Sequence, residues 1–308
     1  MARSQVALPY ATLHSGLAGR WRRRLGTDWS LGWLFLLPVV AILLGLVLYP
    51  FISAVLLSFQ DRLLGASSAK WVFLANYADL VHNPLFLKAV VNTIVYTVAA
   101  VATKFVLGLV SAAVLNQDIP GKNFWRAVLF LPWAIPAVVS AYAWRFVLDT
   151  NGLFNGLIAQ FHLRDDYIYF ISDEHLVMFS VILVTVWAGY PFYTMNFLAG
   201  MQAISQEMYE AAEIDGAGTL QRYFYITLPN LQYVIFITVL LSTIWTSSNL
   251  TQVLILTAGG PNYDSTTLPL LAYLTAVPAR QLSVGASMSI MMVPAYVVLV
   301  LFLSLIHI

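Results

Sequence analysis

The chain has 308 residues, 60% of them apolar and only 9% charged, against roughly 45–50% and about 25% in average soluble domains, so a soluble globular fold is excluded. Fifteen Lys and Arg against 14 Asp and Glu leave a net charge of +1, which removes the basic field that nucleic-acid binding requires. With no cysteine there is no disulfide, thiolate metal site or Cys nucleophile, and the five histidines (His14, His82, His162, His175 and His307) show no ligand-like spacing.

In chain order, residues 1–30 are polar and carry Arg20, Arg22, Arg23 and Arg24 ahead of an uncharged run from Leu31 to Phe59. That run exceeds the roughly 20 residues that cross a bilayer. It is also too long for the apolar region of a cleavable signal, about 7–15 residues, and lacks a cleavage site. Further apolar runs at 89–115, 125–148, 176–200, 230–257 and 284–308 are each long enough to span. The alternating pattern of a membrane barrel is absent, and backbone groups in lipid must be satisfied internally, so the runs are read as helices. The expected fold is all-α: a polytopic membrane bundle of six transmembrane helices, with a tail at 1–30 and one domain at 31–308. The last run reaches Ile308 with no polar tail to hold its end in water, so a natural tail missing from this sequence is the expectation.

With the N-terminus in the cytoplasm, eight basic residues lie inside (Arg3, the four of the cluster, Lys122, Arg126 and Arg222) and six outside (Arg62, Lys70, Lys88, Arg145, Arg164 and Arg280). The bias rests on the cluster beside the first helix and sets that orientation. Lys104 alone falls deep in a span, about eleven residues or roughly 16 Å from the nearer end. A central Lys costs about 2.5–3.5 kcal/mol on insertion scales, so it should face protein. Since no Asp or Glu lies in any span, a carbonyl, a hydroxyl, water or a group on another chain is its expected partner.

The 201–229 loop is acidic, with Glu207, Glu210, Glu213 and Asp215 ahead of Gly216. Its Glu, Met and Ala favour helix, the glycines at 216 and 218 supply a break, and Pro229 is read as the start of the return into the membrane. Two short helices are expected. Helices that lie on bilayers favour Lys and Arg on their polar face, so an acidic one points to a protein partner.

Glu210-Ala211-Ala212, three residues, Gly216, nine residues, then Ile226-x-Leu228-Pro229 resembles the cytoplasmic signature of binding-protein-dependent ABC importer permeases. LYPFISAVLLSF, FLANYADL, GKNFWRAVLFLPWAIPAVVSAYAW, NGLFNGL and LTAGGP, in that order, resemble the maltose-type sugar branch, over most of residues 31–300. The resemblance implies a type I ABC importer permease fold in a bacterial cytoplasmic (inner) membrane. It also implies a second, similar permease, two cytoplasmic ATP-binding subunits carrying ATP and Mg, an extracytoplasmic solute-binding protein, and a sugar or oligosaccharide moved by alternating access. The signature loop would be the coupling helix that seats in the ATPase, with Glu210, Ala211, Ala212, Asp215, Gly216, Ile226, Leu228 and Pro229 as its residues. The chain has no G-x-x-x-x-G-K-[ST] loop of its own. A membrane enzyme would need convergent acids or histidines in the bilayer, and the spans offer Lys104 but no such cluster.

A sugar path needs hydroxyl partners and flat aromatic faces. The fourth span supplies Trp187, Gly189, Tyr190, Phe192 and Tyr193 around Pro191, which should free backbone carbonyls. The fifth places Ser242, Trp245, Thr246 and Asn249 at i, i+3, i+4 and i+7, predicting one face. In the family, positions matching Gly189, Phe192, Ser242, Trp245 and Thr246 line the substrate cavity. Its maltose permease has Tyr and Asn where this chain has Phe192 and Thr246, which leaves glycerol phosphate, an acidic oligosaccharide or another organic solute as the alternative cargo.

Overall fold

A computed structural model describes residues 29–305. The N-terminal segment with its arginine cluster and the last three residues lie outside the described residues. The chain forms two units, one ending at Leu56 and the other starting at Leu57.

In the first unit α1 (Trp29–Ile42) runs through a wider π segment (Leu43–Leu48) into α2 (Tyr49–Ser58), giving a span over Gly32–Ser58. The π turn has a local cause. Pro50 has no N–H and its ring crowds the preceding turn, and just ahead of it the Tyr49 N–H reaches back five residues to the Leu44 carbonyl. A second π segment, Tyr223–Thr227, stands in the same relation to Pro229, with the Leu228 N–H on the Tyr223 carbonyl.

The second unit opens with a two-stranded antiparallel ribbon, β1 (Gln60–Asp61) and β2 (Lys70–Trp71). After α3 (Ala75–Val81) comes α4 (Pro84–Asn116). The Asn83 side chain accepts from the Leu85 and Phe86 N–H groups, and Pro84 occupies the first turn, where no N–H is needed. This Asn-Pro start carries the helix five residues further back than the apolar run alone predicts.

The single third span expected at 125–148 is instead broken. Between α5 (Lys122–Ala134) and α6 (Ala137–Leu148) the axis turns by 94°. Ile135 is extended because the ring of Pro136 excludes it from helical geometry. Six spans result when this bent pair is counted as one. After α7 (Leu153–Gln160), α8 (Val177–Gln202) passes through Pro191 unbroken.

The fifth span, expected at 230–257, also has different bounds. α9 (Gln206–Ile214) is separate, but α10 (Thr219–Arg222) continues through the second π segment into α11 (Leu228–Ser247), one span over Thr219–Ser247. The return into the bundle therefore begins at Thr219, ahead of Pro229. At the far end Asn249 stops the helix: its Oδ1 accepts the Gln252 N–H at 3.2 Å and starts α12 (Thr251–Thr257). α13 (Leu268–Ala276) and α14 (Leu282–Leu305) complete the chain.

The longest packed seam joins α4 to α8. Towards the C-terminal end of α4, Ala112 and Leu115 meet Phe197 and Met201 of α8 and Leu231 of α11; at the N-terminal end of α4, Phe86 and Ala89 meet Leu268 and Leu271 of α13 and Met288 of α14. Loops gather at that second end. Leu64 and Arg280 exchange bonds of 2.8 and 3.2 Å, and Lys88 Nζ sits 2.6 Å from Asp264 Oδ1. The 60–88 and 258–283 loops thus share one end, while 117–121 and 203–218 follow the opposite ends of α4 and α8, the alternation that the six-run reading requires.

Candidate translocation path and coupling loop

Three helices meet at Lys104. From α4 its Nζ donates to Thr246 Oγ1 of α11 at 2.6 Å, and its stem lies over Gly189 of α8, where an added Cβ would stand 2.8 Å from Lys104 Cδ. The absent side chain at 189 is what makes room for the lysine. Lys104 is 4% exposed, its ammonium is 6.0 Å from the centroid of the Tyr193 ring, and no carboxylate pairs with it among the described residues.

The four-residue face expected on the fifth span divides. Ser242 and Thr246 are buried, 4% and 3% exposed, whereas Trp245 is 56% exposed. The Trp245 indole meets half-buried Phe192 of α8 with centroids 5.1 Å apart and planes at 58°, so an open aromatic surface stands in front of buried hydroxyls. Tyr193 is fully buried behind it.

Other expected path residues point elsewhere. Trp187 packs edge-on against Trp144 of α6 at 5.4 Å, and the Tyr190 hydroxyl donates to the Leu129 carbonyl of α5 at 3.2 Å. Pro191 leaves the Trp187 carbonyl without its helical donor. Asn249 lies beyond the end of α11 in a polar chain: its Nδ2 donates to Gln252 Oε1 at 2.6 Å, Thr185 Oγ1 donates to the same atom at 3.1 Å, and Thr185 bonds the Tyr96 hydroxyl at 2.9 Å. Sequence reasoning missed this chain, because its members come from three segments whose meeting no local spacing encodes.

The 201–229 loop folds into a defined, largely exposed element. α9 closes at Asp215 with Gly216 at φ 82°, the Gly216 N–H on the Glu213 carbonyl at 3.0 Å and the Ala217 N–H on Ala212 at 2.9 Å. This paired closure is a Schellman turn, and its left-handed residue favours glycine. Arg222 Nη1 reaches Glu213 Oε2 at 3.0 Å, and the Tyr209 hydroxyl meets Thr227 Oγ1 at 2.9 Å, fixing α9 to the base of the fifth span. Glu210, Ala211, Asp215 and Pro229 are exposed; Ala212, Ile226 and Leu228 are half-buried. Beside them Ile214 is 88% and Leu220 73% exposed, and Phe224 and Tyr225 are open as well. The acidic pattern did not reveal these exposed apolar side chains.

The long apolar helices of the bundle are those of an integral membrane protein. Residues 104–307 match the family described as the binding-protein-dependent transport system inner membrane component, and the chain belongs to that family: it is an integral inner-membrane permease subunit of an ABC importer. It is 31% identical over 245 residues to the trehalose/maltose transport system permease protein MalF of Thermococcus litoralis, covering 79% of this chain and 82% of that one. It is 32% identical over 228 residues to the arabinooligosaccharides transport system permease protein AraP of Bacillus subtilis, covering 73% and 70%. In fold it is similar to a bacterial ABC transporter involved in import of the acidic polysaccharide alginate, with a TM-score of 0.79 at 21% identity over 93% of this chain and 98% of that one. In this family ATP binding belongs to partner ATPases, and transport depends on a solute-binding protein.

Proposed function

We propose that this permease imports a sugar or oligosaccharide, passing it across the open face formed by Trp245 and Phe192. One observation carries the reading: an exposed indole beside a second aromatic ring, with hydroxyl-bearing helix behind it, offers the flat apolar surface on which the C–H face of a pyranose stacks. Gly189, Ser242 and Thr246 support this surface from behind. The trehalose/maltose and arabinooligosaccharide relatives agree with a saccharide cargo.

The chain works with a second, similar permease, two ATP-binding subunits that carry ATP and Mg, and an extracytoplasmic solute-binding protein. The N-terminus is cytoplasmic, which puts α9 and the exposed apolar side chains beside it on the side of the ATPases. Glu210 accepts a charge-assisted bond from a basic group there, Ala211 and Ala212 allow close backbone approach, and the Gly216 turn with Asp215, Ile226, Leu228 and Pro229 sets the helix at the base of the fifth span. The test is ATP hydrolysis by the reconstituted complex, given its binding protein loaded with neutral or acidic saccharides, glycerol phosphate or an amino acid. Stimulation by a saccharide is expected; stimulation by the amino acid or glycerol phosphate alone would overturn the cargo reading.

A further inference from the structure

We infer that Lys104 is a positioning residue of the solute path: through the gap at Gly189 its ammonium holds Thr246, and thereby keeps Trp245 set against Phe192. The inference rests on the saccharide-path reading above. Trp245 and Thr246 occupy the last turn of α11, which ends at Ser247. The turn closes through the Ser248 N–H on the Ile244 carbonyl and the Asn249 N–H on the Thr246 carbonyl, both at 3.1 Å; helix ends fray, so side-chain contacts to neighbouring helices hold it in place.

Two ties are present. On one side Lys104 Nζ bonds Thr246 Oγ1 at 2.6 Å; on the other the Tyr296 hydroxyl meets Ser248 Oγ at 2.9 Å and Ser247 Oγ at 3.2 Å. A methionine at 104 would fill the same stem volume without taking an ammonium out of water, so the position uses the donor and not merely the bulk. The neighbour is matched to it, because any side chain at 189 would push against the lysine stem. With Thr246 fixed, the indole one residue along is fixed too, and the Thr246 hydroxyl is engaged by the lysine instead of facing the solute.

The experiment uses the full complex in proteoliposomes, reading saccharide taken up per ATP hydrolysed and normalising to assembled complex. Lys104→Met and Thr246→Val should each lower that ratio at least about fivefold while stimulation of ATP hydrolysis by the loaded binding protein persists. The double variant should be no worse than either single one, since both remove one bond. Gly189→Ala should resemble Lys104→Met, because its Cβ displaces the lysine stem. A normal ratio in Lys104→Met, or full additivity with Thr246→Val, would overturn the inference, as would lower yield with an unchanged ratio in what assembles. A wild-type complex that no saccharide stimulates refutes the path reading instead, which keeps the two failures apart.

Discussion

The proposed saccharide path rests on Trp245 more than on any other side chain. Because it is exposed, truncation leaves no buried void, so Trp245→Ala should lower saccharide uptake by a stacking loss of about 1 kcal/mol, roughly fivefold, with complex yield unchanged. Trp245→Phe should retain much of the activity. Were the indole a packing residue, its removal would cost about 3–5 kcal/mol and yield would fall with uptake; measuring both in one preparation separates the roles. Sequence spacing located Ser242, Trp245 and Thr246 on one helix and Gly189 and Phe192 on another. It could not tell which of them face open space, because a 3.6-residue stripe wide enough for i, i+3 and i+4 spans both a buried flank and an exposed one. Lys104 was legible as a buried charge; its contact with Gly189 and Thr246 was not, since those positions lie 85 and 142 residues away along the chain.

Among the elements, α9 was the clearest in the sequence and the fifth span the least clear. Helix formers followed by Gly216 predict a helix and its stop, and α9 with its Schellman closure follows. The fifth span shifted because hydropathy reads composition, not hydrogen bonding: Gln221 and Arg222 hide its true start, and the Asn249 cap ends it inside an apolar run. Pro136 was visible, yet the run around it is so apolar that its break was overlooked. Glu210→Lys should abolish uptake and copurification of the ATPase while the bundle still inserts, because Glu210 is exposed and Glu213 makes the loop's internal ion pair. Gly216→Pro should do the same, since proline cannot adopt a φ of 82°. Wild-type copurification in both variants would remove the docking role from this loop.

For the whole molecule, six spans and their alternation were legible because each long apolar run can do little else in lipid. The absolute orientation rests on arginines outside the described residues. Single cysteines introduced at Ser68, Asp166 and Asp264 should label from the extracytoplasmic side, and those at Asp118 and Gln206 from the cytoplasm, with no native thiol to interfere. External labelling at Gln206 with cytoplasmic labelling at Asp264 would invert the bundle and take α9 away from the ATPases. The most direct test of the central claim is accumulation of a labelled saccharide in proteoliposomes holding this permease with its partner subunits, ATP inside and binding protein outside. The expected result is uphill accumulation that needs ATP and binding protein together and is lost in Glu210→Lys; accumulation that proceeds without ATP, or survives Glu210→Lys undiminished, would contradict it.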